Sequence, residues 1–321
     1  MYVENPVIIK VSIAFEQDLF VKDYTAKLVK SLLITGNPKL EEIFAKTRGF
    51  PPKPIHLTPL FTHKIDRKKQ RKYIEAVYTK YISDKPTAKP PNVDELKPVR
   101  IEANREYFFY IGANIKLTND ILLGLSNVNK FVFGKEIVSI SQLNYEIEYI
   151  NVEKEAEEIR SILETSNKGC MRVIFNTPTL LKDPLVIARR KKKKLLLPLP
   201  EAILSSSFLM MLIDMGRMRR AFFVRCMRYI KSIFDIPYTA LKTANLVWYV
   251  YNGELLPALI GYVKYYIDNQ VLQLVQKIVE AKYKLDFTNL LSKSIILAQV
   301  YGAGDGRATG FGHISIKFPV A

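Results

Sequence analysis

The sequence predicts an α+β protein made of two tandem ferredoxin-like (RRM-like) units, each with the order β-α-β-β-α-β. Three observations carry that expectation. The chain has 321 residues, roughly twice the length of a common domain. Segments with period-two alternation are interleaved with segments of helical period, in the same order in both halves. A Glu-rich stretch, residues 151–169, stands between the halves as a linker with helical character. The expected units are therefore 1–150 and 170–321.

In the first half, VIIKVSIAF at 7–15 alternates apolar with small or polar residues and is rich in β-branched types, as a half-buried strand requires. Val21, Tyr24, Leu28, Val29, Leu32 and Leu33 then recur at helical spacing until Gly36 and Pro38 stop the run. Residues 55–61 read as a short strand. After a long charged excursion, residues 106–115, containing YFFYIGANI, read as another. A second helix is expected with Thr118 or Asn119 as its cap and Ile121, Leu122 and Leu125 inward. Residues 130–150 return as extended chain.

The second half repeats the scheme. Residues 170–175 are a strand, 200–234 carry one long helical periodicity, and 244–251 and 258–267 are strands. Helical spacing returns at 271–279 and 290–300, and 311–318 close with an alternating strand.

The charge balance is unusual: 48 Lys plus Arg against 31 Asp plus Glu, a formal +17. Such an excess points to an anionic partner, nucleic acid first and a membrane surface second. Cys170 and Cys226 are too few for a disulfide framework or a four-cysteine zinc site, which fits a reducing, cytoplasmic setting. Residues 1–20 carry Glu4, Glu16 and Asp18 and lack the basic and apolar regions of a secretory signal. The most apolar run, 208–213, is far shorter than the roughly 20 residues of a membrane span.

The excess charge is concentrated. One group is Lys64, Arg67, Lys68, Lys69, Arg71 and Lys72, followed by a Pro- and Lys-rich stretch at 83–98. The second is an unbroken run, Arg189, Arg190, Lys191, Lys192, Lys193 and Lys194. The third is Arg217, Arg219, Arg220, Arg225, Arg228 and Lys231, interleaved with Phe222, Phe223, Met227 and Tyr229. Eighteen cations in three short segments, one laced with aromatics, read as contacts to phosphates, with Phe222 or Phe223 packing inward. These clusters do not face a lipid-directed apolar stripe, so a membrane-surface role is set aside.

The sharpest local signal is YGAGDGRATGFGHISIKF at 301–318. Gly302, Gly304, Gly306, Gly310 and Gly312 fall within eleven residues of a chain that has only 14 glycines. Such density calls for backbone at positive φ or close to a ligand, and exposed amides there would line a phosphate chain. A dinucleotide-binding loop follows a strand and opens a helix, whereas this loop does the reverse.

GAGDGRATGFG followed by a strand resembles the C-terminal glycine-rich signature of the CRISPR-associated repeat-RNA endoribonucleases, a family of the repeat-associated RNA-binding (RAMP) superfamily with tandem ferredoxin-like folds. RVIFNTPTLL at 172–181 is similar to the strand opening the family's second half. ALIGYVKYYI at 258–267 resembles its penultimate strand, and KPIHLTPLF at 53–61 its second strand.

The resemblance implies cleavage of precursor CRISPR RNA within each repeat, without metal or cofactor. The 2′-hydroxyl attacks the adjacent phosphate, leaving 2′,3′-cyclic phosphate and 5′-hydroxyl ends. That chemistry needs a base, an acid and positive charge on the transition state. Many members place a histidine just after the first helix, but residues 36–52 contain none. Some archaeal relatives present lysines instead. By that likeness AKLVKSLL supplies Lys27 and Lys30 on one helix face, Lys53 is the third lysine, and Arg307 is the arginine within the glycine loop.

Lysine moves a proton near neutrality only where burial or neighbouring cations depress its pKa; otherwise it stabilises charge. His56 alternates with Ile55 and Leu57 and is expected to face away from the core as another candidate base, and His313 to reach a phosphate. Three scattered histidines without a matched Cys or carboxylate cluster imply no metal site. The expected RNA-binding set is Arg307, Gly304, Gly306, Gly310, Gly312, His313, Arg190, Lys191, Lys192, Arg217, Arg219 and Arg220. The chain is expected to act as a monomer or homodimer. The alternative function is a non-catalytic superfamily subunit that holds CRISPR RNA in an effector complex.

Overall fold

The computed structural model describes residues 2–45, 51–66, 71–82, 92–165, 169–186, 194–237 and 242–319. In chain order the first half contains β1 (Pro6–Phe15), α1 (Ala26–Gly36), α2 (Lys39–Ala45), β2 (Ile55–Leu57), β3 (Phe61–Asp66), β4 (Arg71–Ala76), β5 (Tyr107–Asn114), α3 (Ile115–Ser126), β6 (Lys130–Phe133) and β7 (Glu136–Tyr149). Its antiparallel sheet has the order β4-β3-β5-β1-β7-β6, with β2 also pairing β5. Alternation in β1 puts Val7, Ile9, Val11 and Ile13 in the core. The helices close over that face: α1 buries Leu28, Val29, Leu32 and Leu33, and α3 buries Ile121 and Leu125.

Two boundaries depart from the periodicity. Val21 and Tyr24 precede α1 rather than belonging to it. Leu19–Val21 forms a short ladder with Val99–Ile101, and Tyr24 turns towards the second half. The cap of α3 is Asn114, whose side chain accepts from the Leu117 amide at 3.0 Å. Thr118 is instead buried one turn inside, its hydroxyl donating to the Asn114 carbonyl.

The second half comprises α4 (Val152–Thr165), β8 (Cys170–Thr179), α5 (Pro200–Asp214), α6 (Arg220–Ile233), β9 (Ala244–Tyr251), β10 (Glu254–Ile267), α7 (Asn269–Tyr283), α8 (Phe287–Tyr301) and β11 (Ile314–Lys317). The sheet order β11-β8-β10-β9 is the fourth-first-third-second arrangement of a ferredoxin-like unit. The helical run at 200–234 is two helices, parted at Gly216, whose φ of 63° ends α5. The linker helix α4 joins the second half's core, burying Val152, Ala156 and Leu163 there.

Two features weld the halves. Lys80–Tyr81 adds to the edge of the second sheet, Tyr81 opposite Trp248 and Lys80 opposite Tyr249. A third core cluster then fills the seam, with Tyr24, Ala26, Phe61, Tyr78 and Phe108 from one half meeting Val247, Tyr249, Ala258 and Phe311 from the other. Tyr24 stacks on Phe311 with ring centroids 4.6 Å apart. No helix among the described residues is long and apolar enough to cross a membrane.

Candidate active site

Helix α1 leaves the seam with Lys27 and Lys30 on one face, and the structure brings both into one row with Lys53. Lys27 is ion-paired with Asp23, one turn earlier, and its ammonium lies 4.7 Å from the Tyr251 ring centroid, across the seam. The Lys30 ammonium lies 5.5 Å from the Phe44 ring, while Lys53, just before β2, donates to the Phe44 carbonyl at 2.8 Å. Both ammoniums thus meet Phe44 on α2, one at its ring and the other at its carbonyl.

Burial holds Lys30 below the ordinary lysine range; Glu41 opposes that shift and Lys27 adds to it. Lys53 is likewise lowered, first by burial and then by the charge of Lys30. Desolvation and like-charge repulsion act together on this pair. The row therefore gathers positive charge in a partly desolvated place, where the protonated form of Lys30 and Lys53 is less favoured than in a free lysine.

The glycine-rich loop lies in the seam. Its five glycines, Gly302, Gly304, Gly306, Gly310 and Gly312, all have positive φ, as their density predicted. Their role is close packing rather than an open amide cradle. At Gly310, φ is 100°, an added Cβ would stand 2.2 Å from Ala26 Cβ, and the carbonyl accepts from the Tyr24 hydroxyl. At Gly302 an added Cβ would strike the His56 ring.

The loop amides are largely spent within the protein. Ala303 donates to Gly312, Asp305 to Leu180, Gly312 to Pro178, and Thr309 and Phe311 to Gly306. For Gly310 and Gly312 the expectation of amides offered to a phosphate is corrected: these two donate to the Arg307 and Pro178 carbonyls.

Arg307 is likewise turned inward. It is 8% exposed, and its guanidinium donates at 3.0 Å to the carbonyl of Tyr301, the last residue of α8. There it meets the negative end of the helix. Burial pulls its pKa down to about 10. It fixes the loop to α8 instead of presenting charge outward.

His56 does not face away from the core; it is 1% exposed. Its Nδ1 donates to the Arg307 carbonyl at 2.9 Å, which leaves Nε2 buried without a partner. Burial, reinforced by His313, pushes its pKa well below the ordinary value, so the ring is neutral. Both faces of β2 are buried because the glycine loop covers the side that alternation leaves open.

His313 stacks on Tyr110 at 5.3 Å and on His56 at 5.6 Å, and burial pushes its pKa to about 4. His63 lies 4.9 Å from Phe108. The three histidines are therefore gathered about Phe61, Phe108 and Tyr110, not scattered. Among the described residues no group of three His, Cys, Asp or Glu is placed to hold a metal ion.

Arg217, Arg219 and Arg220 lie exposed on the α5–α6 turn and the start of α6, and Arg228 and Lys231 continue the exposed charge along the helix. Phe222 and Phe223 are buried, and Arg225 donates to the Tyr283 hydroxyl. Arg190, Lys191 and Lys192 lie outside the described residues, as do Arg67, Lys68 and Lys69 of the first basic group. Sequence reasoning missed Phe44, Tyr251 and Tyr24 as the lysine row's neighbours. Only Tyr24 carried any signal, an aromatic just ahead of the helix.

Two packed ferredoxin-like units with a lysine row beside their seam define the class of architecture. That architecture is similar to Thermus thermophilus Cas6 in a product complex, with TM-score 0.53 and 14% identity over 98% of this chain and 100% of that chain. It is also similar to a second Cas6 product complex, with TM-score 0.50 and 11% identity over 97% of this chain and 99% of that one. No protein-family model matches the sequence, and no curated protein matches it.

Proposed function

We propose that this protein is a CRISPR repeat-RNA endoribonuclease that acts in the cytoplasm, as a monomer or homodimer, and cuts precursor CRISPR RNA without metal. The observation that carries the reading is the row of Lys27, Lys30 and Lys53, two of them desolvated and coupled by charge. The fold shared with Cas6 product complexes supports it.

In this mechanism a neutral amine of the Lys30–Lys53 pair takes the proton of the 2′-hydroxyl. The 2′-oxygen then bonds to phosphorus, and the bond from phosphorus to the 5′-oxygen breaks. The departing 5′-oxygen takes a proton from an ammonium, giving a 2′,3′-cyclic phosphate and a 5′-hydroxyl. Positive charge in the row stabilises the pentacovalent dianion between these states. Lys27, tied to Asp23 and Tyr251, acts as a fixed charge rather than as the shuttle.

His56 has no part in proton transfer, because it is buried beneath the glycine loop with Nδ1 held by the Arg307 carbonyl. Arg307 and the loop glycines shape the site by holding α1 against β2. Arg217, Arg219 and Arg220, with Arg190, Lys191 and Lys192, form the track that holds RNA phosphates. The buried state of His56 also favours a second reading, a non-catalytic subunit holding CRISPR RNA in an effector complex.

Labelled repeat RNA and a copy with 2′-deoxyribose at the cut site, both incubated in EDTA, separate the two. Cleavage of the first alone is expected. Tight binding with no cleavage of either would establish the subunit instead.

A further inference from the structure

The strongest feature outside the lysine site is an apolar groove of about 790 Å3 where the N-terminal segment, the β7–α4 junction, the end of α5 and the α7–α8 turn meet. Val3, Met211, Met215 and Leu290 form its floor. Met215 is 40% exposed, and Tyr149 at the rim is 63% exposed. A second hollow adjoins it, sharing Tyr149 and Asn151 and running along α4.

The electrostatics of this region oppose those of the whole chain. Six carboxylates line the two hollows against two lysines, a formal −4 on a protein of +17. Three of the six are spent locally. Asp214 accepts from the Tyr2 and Val3 amides, Asp286 caps α8 and pairs with Arg160, and Glu153 pairs with Lys293.

The other three, Glu4, Glu155 and Glu158, make no ion pair among the described residues. Glu155 is held above the ordinary carboxylate range by burial and then by Glu148 and Glu158, with Lys154 opposing the shift only in part. RNA is repelled from such a surface, whereas a cationic chain gains from it at both encounter and docking.

We propose that this groove docks a cationic segment of a partner protein, its basic side chains against Glu4, Glu155 and Glu158 and an apolar side chain over Met215 and Tyr149. Apolar floor and acidic rim together select a protein ligand with both chemistries.

The test uses a fluorescein-labelled peptide of repeating Lys-Leu-Lys-Lys-Leu, followed by anisotropy on the whole protein at about 150 mM salt, where loose surface attraction is screened. Binding is expected in the absence of RNA. It should weaken about tenfold in Glu155→Lys/Glu158→Lys and again in Met215→Asp, with thermal melts confirming the fold. A peptide with Glu in place of Lys should not bind.

The proposal fails if the charge-reversal variant binds the peptide as well as the parent does. It also fails if sedimentation shows a dimer that Glu155→Lys/Glu158→Lys dissociates, which would give the face to a second copy of the chain.

Discussion

Replacing Gly310 with alanine places a methyl group where the seam has no room for one. The backbone there has φ of 100°, a conformation that costs an L-residue about 1–3 kcal/mol. The added carbon would also stand 2.2 Å from Ala26 Cβ and 2.6 Å from the Tyr24 ring. Carbon atoms rest about 3.5–4 Å apart, so α1 and the loop must separate by more than about 1 Å. Overpacking of that kind costs about 1–3 kcal/mol more.

The expected loss is thus about 2–6 kcal/mol, a fall in melting temperature of at least about 3 °C for a chain of this size. Calorimetry with a urea titration measures it. Gly253→Ala is the control, because φ there is 75° and nothing lies within 4 Å, leaving the backbone cost alone. If Gly310→Ala melts no lower than Gly253→Ala, the packing argument for the loop is wrong. Displacement of α1 should also disturb Lys27 and Lys30, so RNA cleavage should fall more steeply than RNA binding.

Lys30→Met and Lys53→Met should each slow cleavage by about 100-fold or more while changing RNA affinity by less than about threefold; equal losses of both in single-turnover and filter-binding assays would make them binding residues. His313 has a folded pKa of about 4 against an ordinary 6.5, so between those values the unfolded chain binds a proton that the native state refuses. Stability contributed by the neutral ring is lost as pH falls through that window, on the order of 3 kcal/mol. His313→Phe, which keeps the stack, should reduce the slope of urea midpoints between pH 4 and 6.5, buried His56 carrying the remainder; an unchanged slope would sink this assignment. RNA affinity should fall steeply between about 50 and 200 mM salt, and Arg217→Ala or Arg219→Ala should each reduce the logarithmic slope by about one. A slope that either variant leaves untouched removes that arginine from the track.

Where one periodicity faced one environment, the sequence was legible. Alternation in β1 and the helical spacing of α7 name their buried residues directly. It misled where a second surface intervened. Tyr24 shares the spacing of α1 but packs across the seam. His56 alternates correctly, yet its outward face is covered by the glycine loop, some 250 residues away in the chain. The glycines announced positive φ but not what they approach. Lys27 and Lys30 could be put on one face by counting residues. Their coupling to Lys53 through Phe44 depends on where α2 comes to rest, which no local pattern encodes.

The pairing of Lys80–Tyr81 with Trp248 and Tyr249 has a temporal side. About 170 residues separate these partners along the chain. At synthesis rates of about 5–20 residues per second, this ladder stays open for roughly 10–30 s after residues 80–81 are made. Through that interval the nascent first half carries an unmatched strand and an exposed Tyr24–Phe61–Tyr78 face, so release of an N-terminal fragment would yield a sticky, unfinished body. Full-length translation is therefore a condition for building the lysine row's surroundings, because Tyr251 reaches Lys27 only once the later half has folded.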